Sequence, residues 1–320
     1  MSAVRYTVQH ETLYSYGREV VHSHQMLHLT PRDSERQVCL GHSLLIDPPP
    51  AVRSEHLDAF GNRVTRIELD RPHRRLLVRA DMEVSVEAPP ALPIEGGEPW
   101  ERVRDQLAYV AADRDAPWLE AMRFRFESPF VRVKRLFGDF ARDCLQPGST
   151  VLQVGDCLMS KVHRDFTYSP GATEIATPLL EVFHKRRGVC QDYAHMMIAC
   201  LRSAGLAARY VSGYLRTYNG SLDDEPPPPA EPAPDAKDAT DATDGLVGAD
   251  ASHAWVAVFA PPFGWVEFDP TNNIRVGQDH VALAWGRDFG DVSPLRGVIL
   301  GGGSHRLTVR VAVRQIDDPA

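Results

Sequence analysis

Arg187-Gly188-Val189-Cys190-Gln191-Asp192-Tyr193-Ala194-His195-Met196-Met197 lies between two helical patterns. Upstream, Thr177-Pro178 puts proline inside the start of a helix expected to stop at Gly188. Downstream, Tyr193, Met197, Cys200, Leu201 and Ala204 recur at helical spacing, and Gly205 follows as a terminator. Cys190 is therefore expected to open a helix, where unpaired backbone N–H groups and the positive end of the helix dipole converge. Both favour a thiolate, and the same N–H groups, with Gln191 beside them, could form part of an oxyanion hole. Lys185, Arg186 and Arg187 add positive charge nearby. A buried structural cysteine could begin a helix just as well, so position alone does not decide the chemistry.

Working outward, two strand-like runs at 252–259 and 265–269 flank Ala260-Pro261-Pro262-Phe263-Gly264, a stretch of turn residues. A hairpin centred on Pro261 sets His253 directly opposite Asp269, with Cβ atoms about 5 Å apart, and Trp255 opposite Glu267. A slip of one residue would send the pair to opposite faces. A carboxylate beside an imidazole fixes its tautomer and stabilises the imidazolium. The imidazolium in turn holds a thiolate, which is the arrangement nucleophilic catalysis needs.

The rest of the chain supplies the frame. Residues 1–95 read as β-structure, with strands at 20–30 and 63–69, a tight turn at Phe60-Gly61-Asn62-Arg63, and prolines at 48–50 and 89–90 interrupting any pairing. This region is expected to form an antiparallel β-sandwich-like domain. Residues 96–318 follow as a core of helices and strands. Ser128-Pro129 starts one helix carrying Val133, Leu136, Phe137, Phe140, Ala141 and Cys144; another runs from about Ser149. Strands are expected at 207–215 and 307–313.

Between the first two core strands, residues 219–248 are rich in Pro, Ala and Asp and hold no aromatic residue. Such a composition cannot bury enough apolar area to offset its ordering entropy, so a disordered surface insertion is expected. Residues 221–244 carry eight carboxylates and one lysine, accounting for a charge of −7 out of the total of −8. The remainder is nearly neutral and has no basic stripe, so nucleic acid is not an expected partner.

An apolar fraction of 43% with 24% charged residues is the balance of a globular protein able to bury a core without covalent help. No apolar run approaches the ~20 residues of a membrane span. The start lacks a basic-then-apolar signal pattern, so a cytoplasmic location is expected. The five cysteines form no CxxC pair; neither a disulfide framework nor a zinc ribbon is expected, and Cys39, Cys144, Cys157 and Cys200 read as structural free thiols. His22, His24 and His28 share one face of an expected strand, but no cysteine or acid in the sequence clearly completes a metal site. His195 lies about 140° around the helix from Cys190 and should face away. Asp192 reads as a first-turn acid favoured by the dipole.

Gly188-Val189-Cys190-Gln191-Asp192-Tyr193-Ala194-His195, Ala208-Arg209-Tyr210-Val211-Ser212-Gly213-Tyr214, Ser252-His253-Ala254-Trp255-Val256 and Trp265-Val266-Glu267-Phe268-Asp269-Pro270-Thr271 together resemble the core of the bacterial transglutaminase-like superfamily. Phe166-Thr167-Tyr168 and Thr177-Pro178 resemble that family's approach to its cysteine, and Leu57-Asp58-Ala59-Phe60-Gly61-Asn62 its N-terminal β domain. The resemblance spans nearly the whole chain. It implies an α+β fold with a papain-like core, a triad of Cys190, His253 and Asp269, and two-step acyl transfer on a peptide or protein amide without a metal or organic cofactor. Hydrolysis is favoured over transamidation, since water is always present and nothing marks an amine-binding site. Tyr168, Gln191 and Trp255 are expected to wall the site or assist the oxyanion. Rivals on the same scaffold are an acetyltransferase with a thioester donor and a glycan-removing amidase, which would be expected to carry the zinc-binding CxxC pairs absent here; a different class altogether is a non-catalytic binding module.

Overall fold

The computed structural model describes residues 3–93, 95–108, 114–217, 246–247 and 252–316. Apart from Leu246 and Val247, the acidic insertion expected at 219–248 lies outside the described residues. The chain opens with five strands, β1 (Val4–Leu27), β2 (Gln37–Asp47), β3 (Val52–Leu57), β4 (Arg63–Leu69) and β5 (His73–Val86). Helices α1 (Trp100–Leu107), α2 (Ala116–Met122), α3 (Arg135–Ala141) and α4 (Val151–Asp165) follow. Then come β6 (Thr167–Tyr168), α5 (Leu179–Lys185), β7 (Arg187–Gly188), α6 (Cys190–Ser203) and β8 (Ala208–Leu215). Beyond the insertion lie β9 (His253–Phe259), β10 (Trp265–Asp269), β11 (Ile274–Arg275), β12 (His280–Gly286), α7 (Phe289–Val292), β13 (Leu295–Gly301) and β14 (His305–Ile316).

The expected α+β architecture, an antiparallel sheet ahead of a helix-on-sheet core, is present. The N-terminal sheet has the order β2-β5-β1-β4-β3 and is built around β1. Residues 5–15 of β1 lie between β5 and β14, and residues 23–27 lie between β4 and β13. The last two strands of the chain thus complete the first sheet. Sequence patterning saw only the end of β1, because a strand that changes partners midway carries no single alternation.

The second sheet has the order β11-β10-β9-β8-β12, antiparallel throughout. Every residue of β8 and β9 is buried, as central strands covered on both faces must be. Tyr210, Ala254, Val256 and Val258 join the core that includes α6, whereas Val211, Trp255 and Ala257 form a smaller cluster.

Local departures from expectation have local causes. Ser128 and Val131 exchange backbone hydrogen bonds in a turn, so the helix expected at Pro129 begins only at Arg135. Helix α5 ends at Lys185, capped by Arg186 in a left-handed conformation (φ 55°), ahead of Gly188. This frees Arg187-Gly188 to pair in parallel with Thr167-Tyr168. Helix α4 starts as patterning suggested, with a reciprocal capping box between Thr150 and Gln153. The free-thiol reading fails at two positions: Cys144 and Cys157 form a disulfide, leaving Cys39, Cys190 and Cys200 free. The cysteine count concealed it, because the pair spans α3's trailing turn and α4, elements whose packing brings the two together. Among the described residues no helix is long and apolar enough to cross a membrane.

Candidate active site

Cys190 is the first residue of α6, as its sequence context requires. The β6–β7 pairing holds the approach, and Ser169 N–H donates to the Gly188 carbonyl. Asp192 is buried, and its carboxylate accepts the Val189 N–H (2.8 Å) and the Thr173 hydroxyl (2.6 Å). It therefore caps the turn from which Cys190 projects; valine has no side-chain acceptor, so only this half of a capping box exists. Burial raises the Asp192 pKa against those two hydrogen bonds. A Cβ on Gly188 would lie 2.5 Å from the Asp192 carboxylate oxygen, which is why glycine precedes Val189-Cys190.

His253 opens β9, and Asp269 ends β10. The register differs from the expected one by two residues. Phe259 pairs with Trp265 and Ala257 with Glu267, because Ala260 and Gly264 close the hairpin and centre it on Pro262. His253 is thus not directly opposite Asp269, and Trp255 is not opposite Glu267. An even shift preserves the face, and the diagonal reach still gives His253 Nε2–H to Asp269 Oδ2 at 2.9 Å. Both side chains are fully buried.

The carboxylate is saturated. Oδ2 also accepts from Asn272 Nδ2 (2.8 Å) and His280 Nε2 (3.2 Å), while Oδ1 takes the backbone N–H groups of Thr271 (2.9 Å) and Asn272 (3.2 Å). Burial opposes ionisation of Asp269, but His253 and His280 overcome it and hold its pKa well below the carboxylate range. Burial likewise opposes protonation of His253; Asp269 and Cys190 outweigh it and raise the ring to about 10. The Cys190 sulfur lies 3.9 Å from the carbonyl oxygen of Ser252, immediately before His253. It is close enough to stabilise the charged ring, yet buried His253 Nδ1 has no closed hydrogen bond. Such contacts are often loose before substrate binds.

Cys190, Gln191 and His253 line a cleft of about 240 Å³. Its other walls come from afar: His10, Thr12 and Tyr14 of β1, Leu307 and Val309 of β14, and Tyr210 of β8. His10, lowered to about 4 by burial, bonds to Thr12 (2.8 Å) and to the Tyr214 hydroxyl (3.0 Å). Tyr210 is buried, and burial together with the nearby sulfur of Cys190 pushes its phenol up.

Of the other expected wall residues, Tyr168 packs against Tyr193, with ring centroids 6.3 Å apart, and is not among the residues lining this cleft. Trp255 lines a separate cavity with His280, Arg209, Trp265 and Trp285. His195 is not among the residues lining this cleft: its Nε2 accepts the Phe289 N–H at 3.1 Å, and burial lowers its pKa to about 3.

Sequence reasoning missed His280, Asn272, Tyr210 and the β1 and β14 walls. Asn272 had a signal, since an Asp-Pro-Thr-Asn turn invites the aspartate to accept backbone N–H groups two and three residues ahead. His280 had none, because β12 reaches Asp269 from the far side of β8.

Residues 6–85 match the family model for the bacterial transglutaminase-like N-terminal region, and residues 138–270 match that of the transglutaminase-like superfamily. Uncharacterised proteins of Mycobacterium tuberculosis and Mycobacterium bovis are 38% identical over 302 residues, covering 92% of this chain and 87% of theirs. A protein-glutamine gamma-glutamyltransferase of Pseudomonas aeruginosa is 33% identical over 143 residues, 42% of this chain but 19% of that protein. A solved structure from Cytophaga hutchinsonii, provisionally assigned as a cysteine protease, superposes with a TM-score of 0.71 at 19% identity, covering 100% of this chain and 93% of that one; it shows the fold. With family matches in its N-terminal and central parts and relatives along nearly its whole length, this protein belongs to the transglutaminase-like superfamily, a family of cysteine-dependent acyl transfer.

Proposed function

We propose that this protein hydrolyses amide bonds of a peptide or protein substrate through a Cys190–His253–Asp269 triad and an acyl-thioester intermediate. One observation carries the reading: a fully buried imidazole is fixed at Nε2 by a saturated carboxylate, with its other nitrogen unpartnered beside Cys190, the one cysteine among the described residues lining the cleft. The Cys190 thiolate attacks the amide carbonyl carbon. The resulting oxyanion meets the backbone N–H groups of Cys190 and Gln191 at the start of α6, since those of Asp192 and Tyr193 already donate to the Val189 carbonyl. As the C–N bond breaks, the His253 imidazolium gives its proton to the leaving amine. The neutral ring then takes a proton from water, hydroxide attacks the thioester, and Cys190 departs as thiolate.

Hydrolysis is preferred to transamidation because no carboxylate is among the described residues lining the cleft, so nothing there would gather a protonated amine. The walls are instead largely apolar, including Leu295, Leu307 and Val309. No metal or organic cofactor enters this scheme. The compartment belongs to the same reading: in a reducing cytoplasm Cys144 and Cys157 would be thiols, and in an oxidising compartment they would be the disulfide.

The test is a peptide library incubated with the wild type and Cys190→Ala, with and without an added primary amine. Mass spectrometry should show acyl adducts on Cys190, water-released acids even when amine is present, and no turnover in the variant. Undiminished activity of Cys190→Ala would remove the nucleophile; amine adducts dominating over acids would move the assignment to transamidation. Acetyl transfer to Cys190 from acetyl-CoA would favour the acyltransferase rival, and an unreactive Cys190 a binding module.

A further inference from the structure

On the outer part of the N-terminal sheet, remote in sequence from the proposed triad, three ligand-type side chains converge. His22 and His24 are two residues apart on β1, so they project from the same face. The β1–β4 register places Glu68 directly across from His24. The Nε2 atoms of the two rings are 2.9 Å apart. Glu68 Oε1 lies 3.4 Å from His22 Nε2, and its Oε2 lies 3.8 Å from His24 Nδ1. His28, the third histidine of the sequence pattern, is not part of this group; it is buried, with Nδ1 at 3.1 Å from the Ser293 carbonyl and Nε2 3.5 Å from Asp58.

From this we propose that His22, His24 and Glu68 form a site for a borderline divalent transition-metal ion, with Zn²⁺ as the representative. The ligand atoms converge within 4.8 Å of one another. A tetrahedral ion with bonds of about 2.0–2.1 Å needs donors roughly 3.3 Å apart. The His22–Glu68 spacing already meets that; His24 turns Nε2 to His22 and Nδ1 to Glu68, so binding through Nε2 needs the two rings to part by a few tenths of an ångström and the Glu68 carboxylate to rotate toward that nitrogen. The donor set is two imidazoles and one carboxylate, which suits zinc and its neighbours rather than the all-oxygen shells of calcium or magnesium.

The site is also placed on a rigid base. At His24, β1 is flanked by β4 on one side and β13 on the other, so the ligands rest on an interior strand. Three protein ligands leave a fourth position, and His24 and Glu68 line an adjoining cavity of about 420 Å³ that also holds Arg66 and Arg296. Those two cations repel a bare metal ion but favour an anionic fourth ligand, so hydroxide or a carboxylate is the group this position would take. The ion would tie β1 to β4 and present a Lewis-acidic face to that cavity.

Isothermal titration of the tag-free full-length chain with ZnCl2 tests this, in a Cys190→Ala background so that the cleft thiol does not compete. One equivalent should bind with Kd below about 10 μM, and His24→Ala and Glu68→Gln should each weaken it by about tenfold or more. Co²⁺ in the same background should give a visible d–d absorption that both variants lose. The substitutions lie on the surface, and an unchanged circular dichroism spectrum confirms the fold. Absence of saturable binding, or binding and absorption unchanged in both variants, would overturn the assignment.

Discussion

Replacing Asp269 by asparagine tests whether the buried carboxylate supports the thiol. The substitution keeps size and shape but turns one acceptor into an NH2 donor. The carboxylate takes three donors on Oδ2 (His253, His280 and Asn272) and two backbone N–H groups on Oδ1. Whichever way the amide turns, its NH2 confronts two or three N–H groups. The imidazolium of His253 also loses its counter-charge where its side chain has no solvent exposure. Removing one partner of a buried ion pair costs about 3–5 kcal/mol. At about 1.4 kcal/mol per decade, the thiolate–imidazolium form falls by roughly 10²–10⁴-fold. Alkylation of Cys190 by iodoacetamide reads this without knowledge of the substrate. Pseudo-first-order rates near neutral pH, with peptide mapping to separate Cys190 from Cys39 and Cys200, should fall by about two orders of magnitude or more. Circular dichroism and a thermal melt establish that the variant is folded at the assay temperature; should it not be, His253→Gln tests the same support from the other partner. A folded Asp269→Asn protein that alkylates at the wild-type rate refutes the reasoning.

Stability should follow the pH profile of the pair. His253 is raised from 6.5 to about 10, so its contribution is complete below pH 6.5 and is lost as the pH climbs toward 10. Asp269 is lowered from 3.8, so its contribution is present above that value and disappears as the pH falls beneath it. The urea-unfolding gap between wild type and His253→Gln should be widest between these limits and shrink by pH 10; a flat gap would contradict the assignment. Gly155→Ala sets two effects against each other. Alanine favours a helix interior by about 1 kcal/mol, but its Cβ would lie 2.5 Å from the buried ring of Phe268, and such overpacking costs about 1–3 kcal/mol. Net destabilisation is expected, seen as a lower urea midpoint, and a stabilised variant would show that the ring can yield. Thiol titration in denaturant should count three free cysteines, rising to five after reduction, with stability falling by about 3 kcal/mol as the short loop opens; five thiols before reduction would exclude the bond.

Local chemistry made part of this protein legible before any coordinates. A helix that must begin at Cys190, a hairpin that must turn near Pro261-Pro262, and alternation that puts His253 and Asp269 on one face all depend on neighbours in the chain, and each holds. The exact register did not, because Ala260 and Gly264 close the turn one residue later than symmetry about Pro261 suggests. The survival of the His–Asp contact comes from the two-residue period of a strand, which makes an even slip harmless to facing. What folding alone decided has no local signature. His280 reaches Asp269 from β12, β1 and β14 wall the cleft, Cys144 meets Cys157, and Glu68 joins two histidines it does not resemble in any sequence pattern. Each requires segments far apart in the chain to be packed side by side, and periodicity within one segment reports which face is buried but not against what.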